Sequence, residues 1–133
     1  MILQVGVKVL IKDEAGKYLF VRRVASFKPG PQKWDIPGGR IEPHEPLHDA
    51  LRREVKEETG LELENTDALL AAQDIFASDK DLHVVRLTYV GSASGEVTLS
   101  DEHDTHKWMS KADIKSEVHV DSYLKQIFDE KDF

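Results

Sequence analysis

The sequence predicts a single α/β domain that spans residues 1–133. Three observations support this prediction. β-Branched residues alternate over Val5–Ile11, apolar residues recur at helical spacing over Pro46–Thr59, and a second helical pattern covers Val120–Phe128. A chain of 133 residues is long enough to bury one hydrophobic core and too short for two. Strands and helices are therefore expected to pack around one core.

The first 24 residues are expected to form a β-hairpin. The segment Val5–Ile11 alternates in the way that is typical of a strand with one buried face. Asp13–Gly16 has the composition of a turn, and Tyr18–Val24 resumes the strand pattern. The pattern stops over Ala25–Lys33, which contains proline and glycine and is predicted to be an irregular loop.

The clearest helix is predicted over Pro46–Thr59. Its apolar residues fall on one face: Leu47, Ala50, Leu51 and Val55. Pro46 suits the first turn of a helix. Gly60 supplies a C-terminal stop, because glycine readily adopts the left-handed conformation that ends many helices.

The second half of the chain is expected to contain two long strands and a closing helix. Strand patterns cover Leu61–Ile75 and Leu82–Val90, with a polar turn at Ala77–Asp81 between them. A further turn is predicted at Gly91–Gly95 and a short strand at Glu96–Leu99. The closing helix is predicted from apolar residues that recur at helical spacing: Val120, Tyr123, Leu124, Ile127 and Phe128.

The composition argues against several classes of function. The chain has no cysteine, which rules out disulfides, thiolate nucleophiles and sulfur-ligated zinc. Its 25 Asp and Glu against 18 Lys and Arg give a formal charge of −7, which argues against nucleic acid as a partner. No stretch approaches the roughly 18 apolar residues of a membrane helix, and no signal-peptide pattern opens the sequence. We therefore expect a cytoplasmic protein with no membrane partner.

Three glutamates cluster on the predicted helix. At about 100° per residue, Glu54 and Glu58 fall on or beside the apolar face, and Glu57 is a neighbour of Glu54 at i+3. Like charges at this spacing repel each other, and burial removes their hydration. The cluster is either a solvated acidic face or a site for a hard divalent cation. Mg²⁺ is such a cation, since it binds carboxylates together with substrate phosphates.

The residues around these glutamates offer similar alternatives. Gly38 and Gly39 either form an ordinary turn at a strand end or allow the backbone to approach a ligand closely. A carbonyl freed at this turn would reach a metal on the helix. Arg53 either orients the neighbouring Glu54 or is a solvated charge.

Residues 39–61 resemble a complete Nudix box. The order is Gly39, five residues, Glu45, seven residues, and then the nine residues Arg53–Leu61 (REVKEETGL), with no departure at any defining position. The resemblance implies a small α/β/α sandwich with a mixed β-sheet between helices. It also implies hydrolysis of a nucleoside diphosphate linked to another group.

The resemblance further implies a role for each residue of the motif. The metal ligands would be three carboxylates and one backbone carbonyl: Glu54, Glu57, Glu58 and Gly38. Arg53 would orient Glu54, while Glu45 and Gly39 would hold the loop in shape. The implied cofactor is Mg²⁺, with Mn²⁺ as an alternative, and the implied partner is a small-molecule nucleotide substrate.

One glutamate outside the motif resembles a further family position. Family members often add a metal-binding or basic glutamate from another loop, and Glu102 is placed like one; the alternative is an exposed acidic turn. The general base is assigned first to Glu54, with Glu57 and Glu102 as alternatives. His103 and His106 are spaced like a pair of ligands, although their polar neighbours favour a solvated loop.

Substrate contacts are expected from three residues outside the motif. Arg23 ends the second predicted strand, as in family members that remove unwanted nucleoside triphosphates, and would hold a phosphate. Arg86 shares a strand face with apolar residues, so it either lines the pocket or places its head in solvent at a sheet edge. Phe76 would stack on a nucleobase, whereas Phe27 and Trp34 are either stacking or packing residues.

These features predict a metal-dependent hydrolase of phosphoanhydride bonds, in the first instance a nucleoside triphosphate pyrophosphohydrolase. A dinucleoside polyphosphate hydrolase is one alternative, although Phe76 stands where a tyrosine is usual. A nucleotide-sugar or ADP-ribose hydrolase is another, although no proline follows Pro46. A non-catalytic nucleotide-sensing domain is disfavoured by the intact motif, and a homodimer is left open.

Overall fold

A computed structural model describes residues 1–23 and 32–133, with the backbone alone for Asp67. The end of the second predicted strand at Val24 and the proposed stacking residue Phe27 lie outside the described residues, as does most of the predicted loop.

Four strands form a mixed sheet. Their order across the sheet is β4 (Gly38–Arg40), β1 (Ile2–Ile11), β6 (Leu82–Ser94) and β5 (Glu62–Ala77). The two central strands, β1 and β6, are parallel, whereas β4 and β5 pair with their neighbours in antiparallel orientation. The polar turn predicted between β5 and β6 is a short 3₁₀ helix at Ser78–Lys80.

Three further strands form an antiparallel sheet. Its order is β3 (Trp34–Asp35), β2 (Tyr18–Arg23) and β7 (His103–Met109). An isolated bridge between Lys12 and Tyr18 connects this sheet to the end of β1. The face that contains Val21 and Asp35 is turned toward β1 of the first sheet, and this arrangement creates the interior space described below.

Three helices complete the described part of the chain: α1 (Leu47–Thr59), α2 (Lys111–Ser116) and α3 (Ser122–Glu130). α1 begins after Pro46 and ends at Gly60, whose φ of 73° is the left-handed conformation expected there. α2 begins with a reciprocal pair of hydrogen bonds between Ser110 and Asp113, and the Asp121 carboxylate caps α3. None of the described helices is long and apolar enough to cross a bilayer.

The helices lie on both sides of the sheets because the side chains of β1 alternate. Val7, Val9 and Ile11 pack against α1, while Leu10 faces the opposite core, which α2 and α3 cover. Leu51 of α1 is fully buried, and burial of a side chain of this size stabilises the fold by about 1.5–3 kcal/mol. The predicted α/β/α sandwich with a mixed sheet is confirmed.

Two parts of the predicted topology are wrong. The expected hairpin is limited to its turn and one bridge, because β4 and β6 occupy both edges of β1 and leave β2 to pair in the other sheet. The expected turn at Gly91–Gly95 belongs mostly to β6, and Glu96–Leu99 is not a strand. Gly91 is instead a close-approach position within the sheet, because a Cβ there would collide with the carbonyl oxygen of Asn65.

Candidate active site

A cavity of about 1000 Å³ opens beside α1 and the glycine turn, which comprises the bend at Pro37 and the first two residues of β4, Gly38 and Gly39. The structure brings most of the predicted site residues to its wall: Gly38, Glu54, Glu57, Glu58, Glu102, Arg23 and Arg86. The acids enter from α1, Arg86 from β6, and Arg23 and Glu102 from the end of β2 and the segment before β7. Residues that are distant in sequence therefore surround one space.

Glu54 packs directly on the glycine turn. A Cβ at position 39 would lie 2.5 Å from the Glu54 Cδ atom, which is closer than real side chains approach. Gly38 has a φ of 147°, and a Cβ there would collide with the backbone of Val7. Gly39 is thus required for the close contact that leaves only 15% of the Glu54 side chain exposed, and Gly38 is required for the close approach to β1.

Glu58 is buried at the inner end of the same wall. Its Oε2 atom accepts a hydrogen bond of 3.0 Å from the backbone N–H of Gly38. Burial raises the pKa of Glu58 to about 7; Lys8 and the Gly38 N–H act against this rise, and Glu54 adds to it. The carboxylate is therefore costly to ionise until a further positive charge approaches.

Arg53 connects the acids of α1 to the loop before the helix. Its guanidinium donates to both oxygens of Glu45, at 2.7 and 2.9 Å, and to Glu54 Oε1 at 2.8 Å. It also donates to the carbonyl of Arg40 at 3.2 Å and to Glu57 at 3.4 Å. These hydrogen bonds lower the pKa of Glu45 to about 2 and raise that of Arg53, so both groups stay charged. Arg53 therefore joins Glu54 to the loop that contains Glu45.

The acids suit a hard divalent cation, although their side chains do not yet converge. Among the described residues, no three His, Asp or Glu side chains are close enough together to hold an ion. Arg53 draws Glu54 and Glu57 toward itself, so both carboxylates must turn to share an ion. The Glu58 carboxylate accepts one hydrogen bond from the described residues and keeps unused acceptor capacity. The oxygen donors fit Mg²⁺ or Mn²⁺.

The charge of the cavity limits what can enter it. Five basic and seven acidic side chains of the described residues line it, an excess of two acidic groups. A nucleotide with several phosphates is strongly anionic. Such a ligand would be repelled unless cations entered with it.

Arg23 and Glu102 form an ion pair at the mouth of the cavity. Nη1 of Arg23 lies 3.4 Å from Glu102 Oε2, and about half of each side chain is exposed. Exposed pairs of this kind contribute at most about 1 kcal/mol. The pair is therefore weak enough for either group to exchange its partner for a substrate or an ion.

Arg86 lies inside the cavity rather than at a sheet edge. β6 is a central strand, and only 18% of the Arg86 side chain is exposed. Nη1 of Arg86 lies 3.1 Å from Asp121 Oδ2, and the Arg86 guanidinium lies 5.8 Å from the ring centroid of Tyr123. Asp121 and Tyr123 also line the cavity, although the sequence analysis did not select them for the site.

Phe76 does not reach the cavity. Side chains alternate along β5, so Ile75 and Ala77 face the cavity while Phe76 points to the other side of the sheet. There its ring stacks on His83 with centroids 4.5 Å apart. The expected role of Phe76 in stacking on a nucleobase has no support from this position. Trp34 is buried in a hydrophobic core, as expected for a packing residue.

A second cavity of about 410 Å³ lies between the two sheets. It shares Lys8, Arg23, Asp35, Glu58 and Asp121 with the first cavity. The two spaces therefore meet at these charged side chains.

His103 also lines the second cavity and is 8% exposed, whereas His106 is exposed. Burial, together with the positive charges of Arg23 and Lys8, lowers the pKa of His103. The expectation of a solvated pair of histidines is therefore wrong for His103.

Lys8 and Asp35 are functional candidates that the sequence analysis missed. Lys8 Nζ lies 3.0 Å from Asp35 Oδ2 and donates to the carbonyl of Ile36 at 3.2 Å. Burial opposes the ionisation of Asp35, but the charges of Lys8 and Arg86 lower its pKa. A signal was present in the sequence, because Lys8 interrupts the apolar run of β1 between Val7 and Val9.

Comparison with known proteins gives a consistent match. The model of the NUDIX domain matches residues 2–128. Nucleoside triphosphatase NudI of Klebsiella pneumoniae is 31% identical over 119 residues, which cover 80% of this chain and 82% of that protein. NudI of Escherichia coli O17:K52:H18 is 31% identical over 121 residues, which cover 84% of this chain and 83% of that protein.

Solved structures show the same fold. The MutT protein from Methanosarcina mazei has a TM-score of 0.84 and 28% identity, and the match covers 96% of this chain and 91% of that chain. The MutT NUDIX hydrolase from Burkholderia pseudomallei has a TM-score of 0.82 and 26% identity, with 98% of both chains covered.

Proposed function

Because this chain belongs to the NUDIX family of hydrolases, we propose that it is a divalent-metal-dependent pyrophosphohydrolase of nucleoside triphosphates. Its products would be a nucleoside monophosphate and pyrophosphate. The observation that carries the proposal is the wall of Glu54, Glu57 and Glu58 in a cavity that also contains basic side chains. The proposed cofactor is Mg²⁺, with Mn²⁺ as the alternative, and residues 1–133 act as one catalytic domain.

The chain's own residues can perform the parts of a phosphoanhydride hydrolysis. Glu54, Glu57, Glu58 and the Gly38 carbonyl would hold the cation. A bound divalent cation neutralises phosphate charge and lowers the pKa of a coordinated water. Arg53 binds Oε1 of Glu54, which leaves Oε2 either to hold the cation or, if Glu54 is the base, to accept a proton from the attacking water. Glu57 and Glu102 are the alternative bases.

The basic side chains of the cavity support an anionic substrate. Arg23 is placed at the mouth, where it would hold a phosphate in place of Glu102. Arg86 lies deeper, beside the apolar side chains of Ile75 and Val84, which offer a surface to a nucleobase or ribose. The names of the NudI relatives support a nucleoside triphosphate as the substrate class.

A substrate screen tests the proposal. Nucleoside triphosphates, dinucleoside polyphosphates and ADP-ribose would be incubated with the purified protein and Mg²⁺, and the products separated by anion-exchange chromatography. We expect nucleoside triphosphates to give the highest kcat/KM. Preference for ADP-ribose or a dinucleoside polyphosphate would overturn the substrate assignment, and binding without turnover of any compound would favour a sensing domain.

The same screen includes a matched pair of variants. Glu57→Gln removes a proposed ligand, whereas Arg52→Lys changes an exposed residue of the same helix that pairs with Asp49. We expect Glu57→Gln to reduce the rate by about 10²–10⁴ and Arg52→Lys to have little effect. Equal activities would show that the acids form a solvated face.

The location and partners belong to the same proposal. A small-molecule nucleotide substrate is consistent with a cytoplasmic protein that has no nucleic-acid or membrane partner. Cell fractionation tests the location. A homodimer stays a prediction, which light scattering at several protein concentrations would test.

A further inference from the structure

We propose that Lys8 is a positioning residue of the metal site, which fixes the Asp35–Gly38 segment against α1 so that Gly38 meets Glu58. This inference rests on the proposed function, because it assigns Lys8 a role in the same site. Lys8 lies outside the motif of residues 39–61, on a strand that supplies none of the proposed ligands.

The Lys8 ammonium group is largely shielded from solvent and is held by two partners. Only 15% of the Lys8 side chain is exposed, although lysine normally keeps its charge in water. The ammonium group is stabilised by Asp35 Oδ2 at 3.0 Å and by the Ile36 carbonyl at 3.2 Å. A buried cation with two partners on consecutive residues holds that short segment in a defined place.

The segment that Lys8 holds, Asp35–Gly38, connects the two sheets and reaches α1. Asp35 ends β3 and Gly38 begins β4, with only Ile36 and Pro37 between them, so one short connection links the two sheets. Lys8 holds the start of this connection, and the backbone N–H of Val9 donates to the Pro37 carbonyl at 3.0 Å. At its end, the Gly38 N–H donates to Glu58 at 3.0 Å. β1 thus fixes the segment on one side, and α1 receives it on the other.

The position of this segment affects two proposed ligands of the metal. Gly38 contributes a proposed carbonyl ligand, and Gly39 contacts the carboxyl group of Glu54. A shift of the segment would therefore move one ligand and change the packing of a second. Residues that orient metal ligands in this indirect way typically change metal affinity or activity by about 10–100-fold when they are substituted.

A titration with Mn²⁺ tests the proposal without relying on turnover. Free Mn²⁺ would be measured by electron paramagnetic resonance for the wild type, Lys8→Met, Lys8→Arg and Asp35→Asn. Lys12→Met is the matched control, since Lys12 is exposed, lies just beyond β1 and lines neither cavity. Thermal melting of every variant in chelator shows whether it folds, and Lys8→Arg keeps the charge if Lys8→Met does not fold.

The expected result is a specific loss of metal affinity. Lys8→Met and Asp35→Asn should each raise the Kd for Mn²⁺ by about 10–100-fold. A protein that carries both substitutions should have a Kd close to that of either single variant. Lys8→Arg should retain most of the affinity, and Lys12→Met should match the wild type. At saturating metal, Lys8→Met should lower kcat more than it raises KM.

Two results would overturn the proposal. Unchanged Mn²⁺ affinity with a raised KM would make Lys8 a substrate contact, and unchanged affinity with only a lower Tm would make the pair purely structural. The titration is separable from the proposed function. If the wild type bound Mn²⁺ but hydrolysed no nucleotide, the proposed function would fail while the Lys8 inference was still tested.

Discussion

Glu58 shows at the scale of one residue how an acid of the candidate site destabilises the metal-free fold. The residue is 8% exposed and lies near Glu54, while Lys8 offsets part of this unfavourable environment. Burying an ionised carboxylate is costly unless an opposite charge is close. We infer that the free protein carries this cost above neutral pH and that a bound cation removes it.

The first prediction concerns the stability of the metal-free protein. The pKa of Glu58 is about 7 in the folded protein and 4.5 in its ordinary state, so the folded state binds the proton more tightly. The contribution of Glu58 to the free energy of unfolding is fully present below pH 4.5 and is lost as the pH rises through 7. A shift of this size corresponds to a loss on the order of 3 kcal/mol.

Glu58→Gln should remove this contribution to the pH dependence and make the protein more stable than the wild type at pH 8 in chelator. Urea unfolding of both proteins from pH 5 to pH 8 measures the effect. Glu57→Gln is the control, because 59% of the Glu57 side chain is exposed. A Glu58→Gln protein that is less stable than the wild type at pH 8 would contradict the argument.

The second prediction concerns the guanidinium group of Arg53. Arg53→Lys keeps the charge but cannot bind both oxygens of Glu45 and reach Glu54 at the same time. We expect kcat to fall by about 10–100-fold, since Glu54 loses its orientation. Arg52→Lys on the same helix is the control, and equal rates for the two variants would refute the orienting role.

At the scale of secondary-structure elements, local patterns predicted the helices better than the strand pairing. The helix that became α1 has both a clear apolar face and a glycine stop, and its predicted and observed bounds nearly coincide. β2 has a strand pattern, but its partner depends on which edges of β1 are already filled. Competition between distant strands for the edges of β1 cannot be recognised from the local sequence of β2.

Among the elements that the sequence did not predict, α2 and β7 were missed for different reasons. α2 is only six residues long, and its Ser110–Asp113 capping pair was a readable signal that was not used. β7 (His103–Met109) is rich in charged and polar residues, and much of it stays exposed. Its polar composition favours a loop. The segment forms a strand because it pairs with the edge of β2, which local sequence does not indicate.

The third prediction tests the glycine turn. Gly39→Ala would place a Cβ 2.5 Å from the Glu54 carboxyl carbon, so the side chain of Glu54 must move. We expect a large loss of activity with a folded protein, which circular dichroism and a kcat measurement would establish. Gly6→Ala is a useful comparison, since its Cβ would make only ordinary contacts of 3.6 Å or more. A greater loss of activity for Gly6→Ala than for Gly39→Ala would contradict this explanation.

The fourth prediction concerns the loop before β7. If Glu102 is a base or a metal ligand, Glu102→Gln should lower kcat much more than it changes KM. Asp101→Asn is the local control, because Asp101 lines the same cavity from the adjacent position. Small and equal effects in the two variants would assign Glu102 to an exposed turn and leave catalysis to the acids of α1.

At the scale of the whole molecule, the sequence motif predicted the residues of one wall of the candidate site but not those of the opposite walls. The acids of α1, the glycine turn and Arg53 are close in sequence, so one helix and one turn determine their placement. The opposite walls contain Lys8, Arg86 and Asp121, which come from β1, β6 and the start of α3. Their meeting depends on the packing of the two sheets, which no short motif encodes.

The overall charge of the molecule bears on how an acidic protein could bind an anionic substrate. A net charge of −7 and an acidic cavity disfavour a nucleotide alone and favour one that is accompanied by divalent cations. The central claim is therefore that cations held by the acids of α1 make phosphoanhydride hydrolysis possible.

The most direct test follows the hydrolysis of a nucleoside triphosphate by ³¹P nuclear magnetic resonance, with Mg²⁺ and then with excess chelator. We predict a nucleoside monophosphate and pyrophosphate with Mg²⁺, no turnover in chelator, and recovery of turnover when Mg²⁺ is restored. Undiminished hydrolysis in chelator would contradict the claim, and release of a nucleoside diphosphate and orthophosphate would overturn the assignment as a pyrophosphohydrolase.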